Sequence, residues 1–144
     1  MAKKTKILLT AYIGSDNLGD EVIAESLINK LSALRNIEIR VLSKRHEHTK
    51  NRIKHENIQI HRYSMVGLYK HIRFADKVVI GGGGLIQDES SLLNLFYYYL
   101  ISVISKKYNK QTVLMFVGVG PIKTKVGKYL LKKMRLNIDY CLVR

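Results

Sequence analysis

Ala75-Asp-Lys-Val-Val-Ile-Gly-Gly-Gly-Gly-Leu-Ile-Gln-Asp88 is the stretch that decides the fold of this chain. Its first apolar run, residues 77–80, is short and β-branched. It shows no alternation of polar and apolar residues, which is the pattern of a strand buried on both faces. Four glycines follow, each costing backbone entropy while packing no side chain of its own. A strand buried on both sides belongs to a parallel sheet with helices on each face.

The same kind of segment recurs on both sides of it. Residues 6–12, 37–42, 58–60, 112–117 and 138–143 read as further strands. Val22, Leu27, Leu31 and Leu34, with Ile23 and Ala24, recur at helical spacing and predict a helix over 20–34. Residues 92–108 are long enough for a helix of about four turns, residues 126–135 form a basic helix, and His71 falls in a surface helix. Alternating strands and helices of this kind predict an α/β fold, a Rossmann-like doubly wound parallel sheet.

The chain has 144 residues, the size of one domain. Its 47% hydrophobic content excludes a disordered chain. The single cysteine, Cys141, excludes an internal disulfide framework, and no Cys/His cluster has zinc spacing, so no metal is expected. The N-terminal apolar stretch is broken by Thr10 and has no cleavage site, and the apolar block over 92–104 falls short of the ~20 residues that span a bilayer. The chain is therefore read as cytoplasmic, with peripheral contact to the inner face of the membrane left open.

Three glycine-bearing loops are expected at the carboxyl ends of strands, where open parallel sheets bind ligands. The first is Gly14-Ser-Asp-Asn17-Leu-Gly19-Asp20-Glu21. The second is Gly81-Gly82-Gly83-Gly84, continuing to Gln87 and Asp88. The third is Gly118-Val-Gly120-Pro121. Glycine lets the backbone approach a ligand, and a helix N-terminus behind it favours an anion. The bland reading of each loop is a tight turn. No Gly-Lys-Ser/Thr follows the glycine run and no Gly-x-Gly-x-x-Gly occurs, so a nicotinamide dinucleotide is not expected. Asp16, Asp20, Glu21 and Glu25 cluster in and after the first loop. Asp20, Glu21 and Asp88 are candidate acids or bases. Their alternative is to complement helix N-termini, with Asp88 as a cap.

The ordered set of segments resembles the polysaccharide pyruvyl transferase family. The resemblance rests on Gly14-Ser-Asp-Asn17-Leu-Gly19-Asp20-Glu21, on Ala75-Asp76 with the strand and glycine run through Gln87-Asp88, and on Gly118-Val-Gly120-Pro121. It implies transfer of a pyruvyl unit from phosphoenolpyruvate to two hydroxyls of a saccharide, as a ketal, with release of phosphate. Exopolysaccharide or cell-wall polymers are the implied products. It implies no cofactor beyond the phosphoenolpyruvate donor. It also implies a fold like one half of a GT-B glycosyltransferase. Residues 1–144 would be the N-terminal domain, and the second domain, which carries a family histidine, is absent from this sequence. Asp20, Glu21 and Asp88 are the implied catalytic carboxylates. Gly14, Asn17, Gly19, Gly81 to Gly84, Gln87, Gly118, Gly120 and Pro121 are the implied substrate-binding positions. A non-catalytic remnant, or a binding domain needing a partner chain, is the alternative.

Twenty-five Lys and Arg against eleven Asp and Glu give a net charge of +14. One basic segment runs over 44–62, with His46, His48, His55 and His61 read as solvated. The other runs over 123–135. A solvated face is the default for both. Anionic lipid or a lipid-linked saccharide is the functional alternative. A basic nucleic-acid-binding module is a further alternative, disfavoured by the lack of any recognised motif. Tyr97, Tyr98 and Tyr99 are assigned to the core.

Overall fold

A computed structural model describes residues 3–15, 17–89 and 91–143; Asp16, one of the clustered carboxylates, lies outside them. The chain runs β1 (Thr5–Thr10), α1 (Leu18–Ser32), β2 (Ile37–Ser43), α2 (His46–Arg52), β3 (Ile58–Arg62), α3 (Met65–Phe74), β4 (Lys77–Ile86), α4 (Leu92–Lys107), β5 (Gln111–Val119), α5 (Lys125–Arg135) and β6 (Tyr140–Val143). All six strands are parallel, in the order β3-β2-β1-β4-β5-β6. The direction of winding reverses between β1 and β4, which makes that boundary the topological switch point of the sheet.

The unalternating strands divide their side chains between two cores. Ile7 and Leu9 of β1, Ile39 and Val41 of β2 and Val79 of β4 pack with Ala24, Leu27, Ile28 and Leu31 of α1. Leu8, Leu42, Val78, Ile80 and Leu114 face the other way, onto Leu68 and Ile72 of α3, Leu95, Tyr98 and Ile101 of α4, and Leu130 and Met134 of α5. Each fully buried Leu or Ile of this kind contributes roughly 1.5–3 kcal/mol, so both faces are needed to hold the sheet. Two aspartates pin neighbouring strands at their starts. The Asp76 carboxylate accepts the N–H of Lys6 at 2.9 Å, and the Asp139 carboxylate accepts the N–H of Thr112 at 2.7 Å. Each sits just ahead of one strand and fixes the register of the next.

Two expectations need correction. The glycine run is not a loop: Gly81 to Gly84 continue β4 to Ile86. Gly118 likewise lies inside β5, and only the segment from Gly120 onward forms the turn into α5. Gly82 (φ 80°) and Gly83 (φ 125°) occupy backbone conformations that L side chains avoid, so the strand passes through a bulge that other residues would strain. The segment after β2, taken as merely solvated and basic, contains α2, which buries Thr49 and leads into the buried Ile53.

Two of the histidines are not free in solvent either. The rings of His61 on β3 and His71 on α3 lie 4.5 Å apart, beside Arg40 of β2. The Arg40 guanidinium in turn stacks on Phe74. Burial, then the fields of His61, Arg40 and Lys70, lower the His71 pKa to about 4. Burial and Arg40 also lower that of His61. An unfolded histidine titrates near 6.5, so the folded state resists protonation. Stability is complete above pH 6.5 and is lost as pH falls toward 4. His71 is partly solvated, so the loss is about 1–2 kcal/mol rather than the full linkage value. Urea midpoints at pH 7.5 and 4.5 test this: the wild type is expected to lose about that much more than His71→Gln. Equal losses would remove the effect.

Candidate functional site

At the carboxyl end of the sheet, over the β1–β4 boundary, lies a cavity of about 480 Å3. That is within the range of small-molecule sites, about 300–1,000 Å3. Its floor is the segment just past β1, from Ala11 to Ile13. One wall is formed by Lys44 just past β2 and Tyr63 just past β3. Ser91, Asn94 and Tyr97, at the start of α4, form the opposite wall. Asn17, Asp20 and Gly84 close it. Asp20 and Lys44 are the only charged side chains among the described residues that line it.

The start of α1 is built to aim Asp20. The Asn17 side chain caps the helix, accepting the N–H groups of Gly19 (3.2 Å) and Asp20 (3.4 Å). Asp20 lies in the first turn, where a carboxylate complements the helix dipole. It projects to β4, where Oδ1 accepts the N–H of Gly84 at 3.2 Å. Gly83 must be glycine for this, because a Cβ there would meet the Asp20 carboxylate.

The other two candidate carboxylates are engaged elsewhere. Glu21 is buried; its Oε1 accepts the N–H groups of Gly14 (2.7 Å) and Ser15 (3.1 Å), and its Oε2 pairs with Arg52 of α2 at 3.0 Å. It ties the β1–α1 loop to α2. Gly14 (φ 75°) lies where a Cβ would collide with the Ser43 hydroxyl and the Arg45 N–H, and the Lys44 N–H is directed at the Ile13 carbonyl at 3.4 Å. Asp88 does not cap the helix that follows it. It reaches across to the start of α5, where Oδ1 accepts the N–H of Lys123 (2.8 Å) and Oδ2 accepts the N–H (2.9 Å) and hydroxyl of Thr124. The Thr124 hydroxyl and then the Lys123 N–H hold its pKa below the usual carboxylate value. Gln87 lies against Gly120, whose N–H bonds the Ile86 carbonyl, and the Asp88 N–H is directed at the Pro121 carbonyl at 3.5 Å.

Replacing Glu21 by Ala would strand two loop N–H groups and leave Arg52 with Glu25 as its remaining acidic partner. The expected loss is about 2–3 kcal/mol, read as a lowered urea midpoint. A loss below about 0.5 kcal/mol would contradict this bracing role.

Of the residues expected from sequence, the cavity therefore gathers Asn17, Asp20 and Gly84. Gly14, Gly19, Glu21, Gly81, Gly82, Gly83, Gln87, Asp88, Gly118, Gly120 and Pro121 lie outside its lining. None of the five histidines lines it either. Sequence reasoning missed Tyr12, Lys44 and Tyr63. Their signal was position: each stands one or two residues beyond the end of a strand, on the three consecutive strands up to the switch point. Tyr97 serves the core as expected and also faces the cavity. Lys44 Nζ sits 4.8 Å from the centre of the Tyr12 ring, and Tyr63 meets Tyr97 edge-on at 5.0 Å. Burial raises the pKa of Tyr63, and burial together with Tyr63 raises that of Tyr97, so both stay neutral hydroxyls at physiological pH. Aromatic walls with amide, hydroxyl and carboxylate groups at the rim suit a polyhydroxylated ligand, and Lys44 can balance an anionic group on it.

A doubly wound parallel sheet with a cavity at its switch point defines a Rossmann-like domain. Within that class, the family model for polysaccharide pyruvyl transferase matches residues 17–144. The chain belongs to that transferase family. The match begins at the helix-capping Asn17, so β1 and Gly14 precede it. A search of the curated proteins matches none of them to this chain.

Proposed function

We propose that this domain serves the transfer of a pyruvyl unit from phosphoenolpyruvate to a saccharide, forming a ketal and releasing inorganic phosphate. The observation that carries the reading, beside the family, is Asp20. It is the one carboxylate among the described residues that lines the switch-point cavity. The reaction needs a first hydroxyl to add to C2 of the enol phosphate while C3 takes a proton. Phosphate then leaves, and a second hydroxyl closes the ketal ring and gives up its proton. Asp20 is assigned as the base for an attacking hydroxyl. Its Oδ1 is held by the Gly84 N–H, which orients the carboxylate. Lys44 is assigned to an anionic group of the bound reactants. Glu21 and Asp88 brace the loops around the site. Residues 1–144 are taken as the N-terminal domain, and the acid for C3 is taken to come from beyond this cavity.

The test uses the natural gene product with phosphoenolpyruvate and surface oligosaccharides as acceptors. Phosphate release should depend on the acceptor, with one ketal methyl signal appearing by NMR for each phosphate freed. Acceptor-independent release, or acceptors recovered unchanged, would reject the reading.

A further inference from the structure

The side of the sheet carrying α4 and α5 turns an unusual surface outward. Leu92, Phe96 and Val103 are exposed along α4, and Tyr99, between them, is half-buried; the spacing of four, three and four residues puts them on one stripe. Val126, Tyr129, Lys133 and Leu136 repeat the pattern along α5 and just past its end, and the three apolar ones are each more than half exposed. The two stripes meet at a groove formed by Tyr99, Val103, Lys106, Lys107, Lys133 and Leu136. Neither helix contains an acidic residue; α5 carries four lysines and an arginine, and α4 ends in Lys106-Lys107.

Neither a solvated face nor a plain polyanion site accounts for both features. A solvated face would not align its large apolar residues. A surface reading phosphate alone would not need them. Apolar residues flanked by lysines, with no carboxylates, match an anionic bilayer surface. There Val, Leu, Phe and Tyr enter the headgroup boundary while lysine stems extend to lipid phosphates. No described helix is long and apolar enough to cross a membrane.

We propose that the α4–α5 face docks the protein on an anionic lipid surface. The same α4 presents Asn94 and Tyr97 to the cavity from its other side. Docking would therefore place the cavity beside the membrane, within reach of a membrane-borne ligand.

The experiment is co-sedimentation of the protein with phosphatidylglycerol/phosphatidylcholine vesicles and with phosphatidylcholine vesicles at 0.1 M salt. Binding at least tenfold tighter to the anionic vesicles is expected, weakening as salt rises. Lys128→Glu with Lys132→Glu should lower it by about fivefold or more per charge. Val126→Ser with Tyr129→Ser should weaken it severalfold and leave the salt dependence unchanged. All four positions are exposed, and circular dichroism checks that the fold persists. Equal binding to neutral vesicles, or no binding, would overturn the proposal. So would duplex DNA that competes at equal phosphate while the apolar pair has no effect, which indicates a nucleic-acid surface. Self-association abolished by Leu136→Asp, without vesicle binding, would instead assign the face to a second copy of the chain.

Discussion

Asp20→Asn is expected to cut acceptor-dependent phosphate release by about 10²–10⁴-fold, the usual contribution of a positioned general base. The change isolates chemistry from architecture. An asparagine keeps an oxygen that can accept the Gly84 N–H now bound at 3.2 Å, and it fits the same space against Gly83. The Asn17 cap is untouched, because it accepts from the backbone of residue 20 and not from its side chain. Folding stability should therefore stay within about 1 kcal/mol, the cost of a weakened interaction with the helix dipole. Acceptor affinity should change little if the carboxylate acts mainly in the transition state, so the loss should fall on kcat more than on KM. Glu21→Gln is the comparison. It retains an acceptor for the Gly14 and Ser15 N–H groups, loses charge against Arg52, and sits outside the cavity. It should lose stability and keep most of its turnover per folded molecule. A fall of less than tenfold for Asp20→Asn would remove the base assignment and leave that side chain as a strap between α1 and β4.

The sheet was legible because its strands lack alternation. Two-sided burial leaves that mark directly in residues such as Val78, Val79 and Ile80, which face opposite cores. What could not be read was where a strand stops. Glycine runs look like loops because glycine is usually selected for turns, yet β4 continues through four of them. Their reason lies in α1, more than fifty residues earlier, and no local pattern carries that distance. The carboxylates were ambiguous for a similar cause. Asp20, Glu21 and Asp88 all stand near helix starts, and sequence cannot say which oxygen atoms are already taken. Glu21 depends on a loop bending back to it and on Arg52; Asp88 depends on the start of α5, which is 35 residues away. The aromatic cavity wall was hidden differently. Tyr12 and Tyr63 come from separate strands and face one space only through the strand order.

Gly82→Ala should destabilise the fold by about 2–5 kcal/mol, a large part of the 5–15 kcal/mol that holds a typical domain. Gly81, Gly82 and Gly83 lie in succession beneath Leu27, Ala24 and Asp20 of α1, a single stripe of that helix running back toward its N-terminus. A Cβ on Gly82 would come within 2.9 Å of the Ala24 Cα and 3.1 Å of its nitrogen, which are backbone atoms of a helix that cannot move alone. The residue also has φ 80°, so alanine adds strain of about 1–2 kcal/mol to an overpacking cost of about 1–3 kcal/mol. Gly84 is the control within the same run. Its φ is not in the left-handed region, and an added Cβ would touch nothing nearer than Gln87 Nε2 at 3.8 Å. Gly84→Ala should be neutral in stability within about 0.5 kcal/mol, because the lost freedom of the unfolded chain offsets small local costs. Yet Gly84 lines the cavity and Gly82 does not, so the stable variant is the one expected to raise KM. Urea unfolding with an unchanged slope reads the first quantity and saturation kinetics the second. If Gly82→Ala cost under 1 kcal/mol, or Gly84→Ala cost as much as Gly82→Ala, the glycine run would not be the bed on which α1 rests. The close approach that brings Asp20 to the cavity would then need another cause.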